Sequence, residues 1–203
     1  RDPEMSRGLG DVYKRQKQVS NKNAQDSIKN GFALLTEERR ATGIFGILNI
    51  RENTVISSLK RHKKGFYLSE KSMKEDTQKY IDALRTKTPS QETKIRALSG
   101  GNQQKVVIGK GLLTKPKILL LDEPSRGIDI GAKTEVFEII HDLAEKGLSI
   151  IVISSELKEI MAIADRIVVL SNGKKTGELT GDEITEDTLV RTSYAGLGTG
   201  RNA

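Results

Sequence analysis

The fold of this chain is decided by two neighbouring sequences, Leu98-Ser-Gly-Gly-Asn-Gln-Gln-Lys105 and Lys117-Ile-Leu-Leu-Leu-Asp-Glu-Pro124. The first leads into an apolar run with helical spacing, residues 106–113, which stops before Pro116. The second continues as Ser125-Arg-Gly-Ile-Asp129. We therefore predict a helix whose N-terminus faces a ligand, followed by a buried strand that ends in two carboxylates.

The first sequence has the composition of an anion-binding helix start. Ser99 is a favourable N-cap, and Gly100 and Gly101 allow another molecule to approach the backbone closely. The free N–H groups and the positive dipole end of the helix attract a phosphate. Taken alone, this pattern is explained more readily by simple capping than by phosphate binding.

The second sequence places carboxylates where open α/β sheets bind their ligands. Residues 118–121 form an unbroken apolar run between two prolines, which predicts a strand buried on both faces of a parallel sheet. Asp122 suits the coordination of Mg²⁺, and Glu123 suits the orientation or deprotonation of an attacking water. The alternative is a solvated acidic turn, which the neighbouring Ser-Gly-Gly helix makes less favourable.

These motifs resemble those of ABC-type ATPase domains. Residues 98–103 correspond to the family's signature, residues 118–122 to its Walker B strand, Glu123 to its catalytic glutamate and residues 125–129 to its D-loop. The longer forms of these motifs, with residues 32–43 and 86–89, are similar to the C-terminal ATPase half of two-domain monosaccharide importers. The resemblance covers roughly residues 17–193 and implies an α/β fold of the P-loop NTPase type, with a largely parallel core sheet, helices on both faces and a small helical subdomain.

The resemblance also implies a site for ATP and Mg²⁺ shared between two ATPase halves that sandwich the nucleotides head to tail. Each half presents its signature to the nucleotide that the other half holds. The implied nucleotide-binding residues are Ser99, Gly100, Gly101, Gln103, Asp129 and Ser155, the implied metal ligands are Asp122 and Glu37, and the implied catalytic residue is Glu123.

Three departures from the family pattern affect what this half is expected to do. Glu37 stands where the family usually has a metal-ligating glutamine, and Ser155 stands where many members have a histidine that contacts the γ-phosphate. The phosphate loop Gly-x-x-x-x-Gly-Lys-Ser/Thr does not occur in the sequence. We therefore expect the chain to be inactive alone, and the site built on this half to hydrolyse slowly or only to bind.

Composition excludes several other kinds of function. The chain has 203 residues, no cysteine and two histidines, so a disulfide framework or a thiolate metal site is excluded and a histidine-rich metal site is not expected. The net charge of +7 is spread along the sequence apart from residues 60–64, and aromatic residues make up only 4%. We therefore expect no nucleic-acid partner. His141, in a predicted amphipathic helix, is expected at the surface.

The organisation of the chain follows from the alternation of predicted strands and helices. We predict strands at residues 32–35, 150–153 and 167–170, and a hairpin turn at Asn172-Gly173. We predict a helix capped by Asn49 that runs through residues 55–59, and further helices at residues 72–85, 132–146, 157–164 and 184–190. Residues 1–16 are expected to be a non-native leader, with a short native loop as the alternative. Residues 17–195 are expected to form a partial ABC ATPase domain with a helical subdomain at about 48–115, and residues 196–203 a flexible tail.

The function that the resemblance implies is an ATPase subunit that energises import of a monosaccharide, with galactosides as the expected sugars. Its implied partners are integral membrane permease subunits, a periplasmic sugar-binding protein acting indirectly, an N-terminal ATPase half and a second copy of the subunit. It would work peripherally at the cytoplasmic face of a bacterial inner membrane. Two alternatives stay open: a soluble ABC ATPase acting on ribosomes or DNA, and a non-catalytic half that only completes its companion's site.

Overall fold

The computed structural model describes residues 12–14 and 17–195. The strands are β1 Val12–Lys14, β2 Lys17–Val19, β3 Phe32–Leu35, β4 Lys63–Lys64, β5 Tyr67–Leu68, β6 Ile118–Asp122, β7 Ser149–Ile153, β8 Arg166–Ser171 and β9 Lys174–Thr180. The α-helices are α1 Ala24–Lys29, α2 Ile50–Val55, α3 Glu70–Ala83, α4 Gly100–Leu112, α5 Ile130–Glu145, α6 Leu157–Ile163 and α7 Glu186–Tyr194. A π-helical turn, Arg39–Gly43, and 3₁₀ segments at Ile56–His62, Ile95–Ala97 and Gly181–Glu183 complete the described elements.

A parallel sheet with the strand order β3-β6-β7 forms the centre of the molecule. Leu121 of β6 lies opposite Leu35 on one side and Val152 on the other, so the carboxyl ends of the strands meet at one edge. The predicted α/β class with a parallel core sheet is confirmed. The sheet brings Asp122, Glu123 and the residues that follow β7 to this edge, where ligands bind in such folds.

The helices α4 and α5 pack on the same face of this sheet. Side chains on that face form the main hydrophobic core, which includes Ala33, Leu35, Val107, Ile108, Leu119, Leu121, Val136, Ile139 and Ile140. Side chains alternate between the faces of a strand, so their neighbours point the other way. Leu34, Ile151 and Ile153 on that second face are 60%, 55% and 56% exposed. Within the described residues, Ile118 and Leu120 of β6 on this second face are only partly buried, so the prediction that residues 118–121 are buried on both faces is confirmed for one face only.

The C-terminal part builds a separate antiparallel unit. The strands β8 and β9 form a hairpin, and Asn172 and Gly173 at its turn have φ angles of 50° and 74°. Both angles are positive, as a type I′ turn requires, so the predicted hairpin turn is confirmed. Ile167, Val169 and Leu189 form the small core of this unit, and among the described strands β8 pairs only with β9.

The helices between β3 and β6 form a layer around a second small core of Ile50, Ile95 and Val106. Asn49 caps α2 with a capping box, as its position before the helix predicts. The start of this predicted helix is confirmed, but its continuation as an α-helix through Leu59 is wrong, because α2 ends at Val55 and a 3₁₀ segment with a kink at Ser58 follows. The boundaries of the predicted helical subdomain stay a prediction.

The predictions for the two chain ends fall largely outside the described residues. Of the predicted leader, residues 12–14 form β1, which pairs antiparallel with β2; the rest of it, and the predicted tail at 196–203, lie outside the described residues.

His141 is exposed, as expected. None of the helices that the structure describes is long and apolar enough to cross a membrane.

Candidate functional site

The conformation and packing of the N-terminus of α4 depend on its cap, Ser99, and on two glycines. Ser99 is extended and exposed, and its Oγ accepts hydrogen bonds from the Asn102 backbone N–H at 3.5 Å and from Asn102 Nδ2 at 2.9 Å. A Cβ added at Gly101 would collide with the Cβ of Ala132 in α5. At Gly100 an added Cβ would lie only 2.9 Å from the carbonyl oxygen of Gly127. The two glycines are therefore needed for close packing of α4 against α5 and the loop before it.

This packing creates a shallow cavity with a volume of about 340 Å³, whose wall we call the signature surface. It is lined by Lys87, Ser99, Gly101, Asn102, Asp129, Gly131, Ala132 and Glu135. The predicted residues Ser99, Gly101 and Asp129 are brought together here. Asp129 also caps α5, because its Oδ1 accepts the Ala132 N–H at 3.0 Å.

Gln103 lies away from the signature surface, and Asn102 takes its place. Gln103 is 3% exposed, and its Nε2 donates to the carbonyl oxygen of Leu98 at 3.0 Å. Asn102 is the residue whose N–H the Ser99 cap binds, and it lines the surface. The sequence held a local signal for this, because an N-cap side chain bonds to the residue two or three positions after it.

Two lysines make the signature surface favourable for an anion. The buried Lys105 ammonium donates to Glu135 Oε2 at 2.5 Å and to the Arg85 carbonyl oxygen at 3.0 Å. Lys87 Nζ donates to Glu135 Oε1 at 3.1 Å. The hydrogen bonds from Lys105 and Lys87 hold the pKa of Glu135 below its ordinary value. The carboxylate that α5 contributes to this surface is thus neutralised, so it does not repel an anion at the positive end of α4.

A second concavity, of about 400 Å³, lies at the carboxyl end of the sheet, and we call it the Glu123 pocket. It is lined by Glu37, Glu123, Arg126, Gly127, Ser155 and Glu156. The structure therefore brings together the predicted residues Glu37, Glu123 and Ser155. Asp122 is the last residue of β6 and does not line the pocket.

The Glu123 carboxylate is held by the loop after β7. Its Oε1 accepts the Ser155 backbone N–H at 2.8 Å, and Ser154 Oγ lies 3.5 Å from its Oε2. The backbone of Glu123 has a φ of 46°, and its N–H donates to the carbonyl oxygen of Ile153 at 2.8 Å. The chain therefore turns sharply after Asp122 and directs this carboxylate towards the end of β7.

Arginines link the loop after β3 to the loop after Glu123. Arg126 forms an ion pair with Glu37 across the pocket. The buried Arg39 guanidinium donates to the carbonyl oxygens of Arg126 at 3.1 Å and Gly127 at 3.4 Å, and burial is the main cause that lowers its pKa. The sequence did not indicate this role for Arg39, because its partners lie about 87 residues away along the chain.

Of the two predicted metal ligands, Asp122 fits a cation better. Asp122 is half-buried, and its carboxylate makes no hydrogen bond or ion pair with any residue that the structure describes. Such an uncommitted carboxylate suits a hard divalent cation. Glu37 is already ion-paired with Arg126. Within residues 12–14 and 17–195 there is no group of three acidic, histidine or cysteine side chains that would hold a metal by itself.

Comparison with known sequences identifies relatives along most of the chain. A family model described as ABC transporter matches residues 6–126. The galactose/methyl galactoside import ATP-binding protein MglA 2 of Photobacterium profundum is 50% identical over 185 residues, which cover 91% of this chain and 37% of that protein. MglA of Escherichia coli (strain K12) is 50% identical over 186 residues, with the same coverage. The chain thus spans little more than a third of the length of these relatives.

Solved structures show the same fold. An ATP-binding cassette of an ABC transporter in its ADP conformation superposes with a TM-score of 0.77 and 24% sequence identity, covering 94% of this chain and 78% of that one. A nucleotide-free cassette superposes with a TM-score of 0.74 over 90% of this chain and 74% of that one, again at 24% identity. At this level of identity the likeness establishes the fold alone.

Proposed function

This chain belongs to the ABC transporter family, and from that premise we propose that it is one ATPase half of an assembly that hydrolyses ATP to import a monosaccharide. The sugar we propose is a galactoside, because relatives at 50% identity are galactose/methyl galactoside import ATP-binding proteins. Since the chain spans 37% of those relatives, the remaining parts of the ATP sites would come from an N-terminal ATPase half and from a second copy.

One observation carries this proposal: a single loop, residues 126–129, borders both concave sites. Asp129 lines the signature surface, whereas Arg126 and Gly127 line the Glu123 pocket. An ATPase that works as two facing halves needs one surface for its companion's nucleotide and one pocket for its own. Their common border gives a physical route by which one site senses the other.

In the proposed reaction each site uses a different set of this chain's residues. At the signature surface, Ser99 and the N–H groups at the start of α4 would bind phosphate oxygens of ATP held by the companion half. At the Glu123 pocket, Glu123 would orient a water and accept its proton while the water oxygen bonds to the γ-phosphorus and the bond to the ADP oxygen breaks. Asp122 would hold Mg²⁺, which neutralises phosphate charge when it is bound.

The two sites are proposed to differ in rate. Ser155 holds Glu123 through its backbone N–H, and it has no imidazole with which to contact a γ-phosphate. Glu37 is engaged by Arg126, so this ion pair must open before the residue can approach a metal. We therefore assign most turnover to the companion site that Ser99 completes, and slow turnover or binding alone to the Glu123 pocket.

The proposed partners follow from the importer function. Permease subunits would dock on the helical layer, where Phe45 and Ile47, which follow the loop bearing Glu37, are 51% and 76% exposed. A periplasmic sugar-binding protein would act through the permease, and the subunit would lie at the cytoplasmic face of a bacterial inner membrane. The Glu37–Arg126 ion pair favours a second candidate, a non-catalytic half that only completes its companion's site.

Measuring ATP binding and hydrolysis by the chain alone, and then mixed with a companion half that carries a phosphate loop, tests the proposal. We expect no tight binding by the chain alone. Hydrolysis should appear on mixing and fall about 100-fold when Ser99→Arg is introduced, which leaves only the slow turnover of the Glu123 pocket. Tight binding by the chain alone, or hydrolysis that Ser99→Arg leaves unchanged, would contradict the assignment. Co-purification with a permease separates the importer from a soluble ATPase that acts on ribosomes or DNA.

A further inference from the structure

A largely buried carboxylate, Glu159, shares the Ser154 hydroxyl with Glu123. The side chain of Glu159 in α6 is only 9% exposed. Its Oε2 accepts hydrogen bonds from Ser125 Oγ at 2.6 Å and Ser154 Oγ at 3.2 Å, and its Oε1 accepts from Lys133 Nζ at 2.8 Å. These donors belong to the loop after β6, the loop after β7 and helix α5. We call the four residues the Glu159 cluster.

The charges of the cluster favour an ionised carboxylate. Burial by itself raises the pKa of Glu159, but the hydrogen bonds from Lys133 and Ser125 outweigh it, and the pKa lies below its ordinary value. Lys133 also donates to Glu156 Oε1 at 2.7 Å, and the hydrogen bonds to Glu156 and Glu159 raise the pKa of Lys133. Because Ser125 is fully buried, its hydroxyl depends on Glu159 for a partner.

The cluster connects the backbone segments that shape both candidate sites. Ser154 Oγ is within 3.5 Å of Glu123 Oε2, and the next residue, Ser155, donates its N–H to Glu123 Oε1. Ser125 begins the loop whose later residues line the Glu123 pocket and the signature surface. A shift of Glu159 would therefore displace two segments at once: Ser154-Ser155, which hold Glu123, and the loop that borders both sites.

From this geometry we propose that Glu159 is a positioning residue that ties the 125–129 loop to the 154–155 loop and so sets the orientation of the Glu123 carboxylate. The inference rests on the proposed function for its kinetic consequence, but its structural consequence does not depend on hydrolysis. Glu159 lines neither cavity, so its effect on a reaction would pass through Ser154, Ser155 and Ser125.

Amide hydrogen exchange on the intact protein that carries this chain tests the structural part. Glu159→Gln keeps the size of the side chain but removes the charge that holds Lys133. We expect exchange in residues 125–129 and 153–156 to rise about tenfold, with residues 100–112 of α4 unchanged. Glu138→Gln is the matched control: it changes an exposed carboxylate of α5 that pairs with Arg85, and it should alter exchange in neither segment. Unchanged exchange in both segments of Glu159→Gln would overturn the proposal.

A milder variant covers the case in which Glu159→Gln does not fold. Ser154→Ala removes one hydrogen bond of the cluster and should raise exchange in 153–156 alone. Exchange in 153–156 that Ser154→Ala leaves unchanged, or a rise spread over the whole domain, would overturn the proposal. Where Glu159→Gln also folds, the combined effect of the two variants should be smaller than the sum of the single effects, because both act through one network; full additivity would overturn the proposal as well.

Kinetics then separates this inference from the proposed function. In an assembly carrying Ser99→Arg, the remaining turnover belongs to the Glu123 pocket. Glu159→Gln should lower its kcat about tenfold while the KM for ATP stays within about twofold, because orientation of the base acts on the chemical step. If the unmodified assembly does not hydrolyse ATP, the proposed function fails and the exchange result alone decides the role of Glu159. If it does hydrolyse and the kcat of Glu159→Gln is unchanged, the positioning role fails by itself.

Discussion

The signature surface and the Glu123 pocket are held in shape by different forces. At the signature surface, Gly101 lies directly against Ala132, and the close packing of two helices fixes the position of Ser99. In the Glu123 pocket, shape depends on hydrogen bonds between loops and on the ion pair of Glu37 with Arg126. Close packing has few alternatives, whereas hydrogen bonds between loops can be exchanged for others. The surface offered to a companion is therefore preformed, and the chain's own pocket is adjustable.

Turnover of the intact assembly should show the largest difference between the two sites. We expect Ser99→Arg to reduce ATP hydrolysis about 100-fold, equivalent to about 2.7 kcal/mol of activation free energy, because the arginine side chain would fill the phosphate position. Glu123→Gln should leave the total rate within about twofold of the unmodified assembly, since most turnover belongs to the companion's site. Steady-state ATPase assays of the two variants measure this. If Glu123→Gln alone abolishes hydrolysis and Ser99→Arg is tolerated, the assignment of the two sites is reversed.

The rigidity of the signature surface can be tested by overpacking it. Gly101→Ala places a methyl group against Ala132 and should lower the free energy of unfolding by about 1–3 kcal/mol. Urea unfolding followed by circular dichroism measures the loss. Gly46→Ala is the matched control, because no atom lies within 4 Å of its added Cβ. Equal stability of the two variants would show that the helices separate easily and that the surface is not preformed.

The charge interactions of the signature surface should make the free energy of unfolding depend on pH in the acidic range. Hydrogen bonds from Lys105 and Lys87 depress the pKa of Glu135, so its stabilising effect is complete above its unfolded-state pKa and is lost as the pH falls through the folded-state value. Glu135→Gln should lower the free energy of unfolding at neutral pH by about 1 kcal/mol, since the carboxylate is 40% exposed. Below the folded-state pKa the two curves should converge. A constant difference at all pH values would mean that packing, not charge, links these residues.

The smallest effect is expected at the ion pair of the Glu123 pocket. Both Glu37 and Arg126 are more than a third exposed, so Glu37→Gln should change the free energy of unfolding by less than about 1 kcal/mol. Urea unfolding alongside the unmodified chain measures this. A loss of several kcal/mol would show that the pocket is as rigid as the signature surface and would remove the distinction between them.

Sequence reasoning succeeded where the determining interactions are local. The Ser99 cap, the Asn49 cap and the Asn172-Gly173 turn each depend on residues within a few positions, and the structure has all three. The apolar run of β6 similarly specified a strand of the parallel sheet. Whether both faces of this strand are buried could not be predicted from the apolar run, because burial depends on which helices pack against the sheet.

The contacts that sequence reasoning missed join segments far apart in the chain. Arg39 binds the 126–127 carbonyls, and Glu159 receives the Ser125 hydroxyl from 34 residues away. Arg39 lies within the 32–43 stretch that carries the family resemblance, but no motif indicates the partner of Arg39 or of Glu159, so only the folded structure shows these contacts. Gln103 was predicted at the site because it belongs to the signature, although its side chain turns to the carbonyl of Leu98. A motif gives the residues of a site more reliably than the direction of each side chain.

The left-handed backbone of Glu123 restricts which amino acids this position accepts, independently of any reaction. A φ of 46° is uncommon for residues other than glycine, asparagine and aspartate, and branched side chains such as valine or isoleucine are strongly disfavoured there. Most substitutions at Glu123 would leave this conformation as strained as it is now, whereas glycine would relax it. We therefore expect Glu123→Gly to combine lost chemistry with a more stable turn, so that selection for folding and selection for function act in opposite directions at this residue.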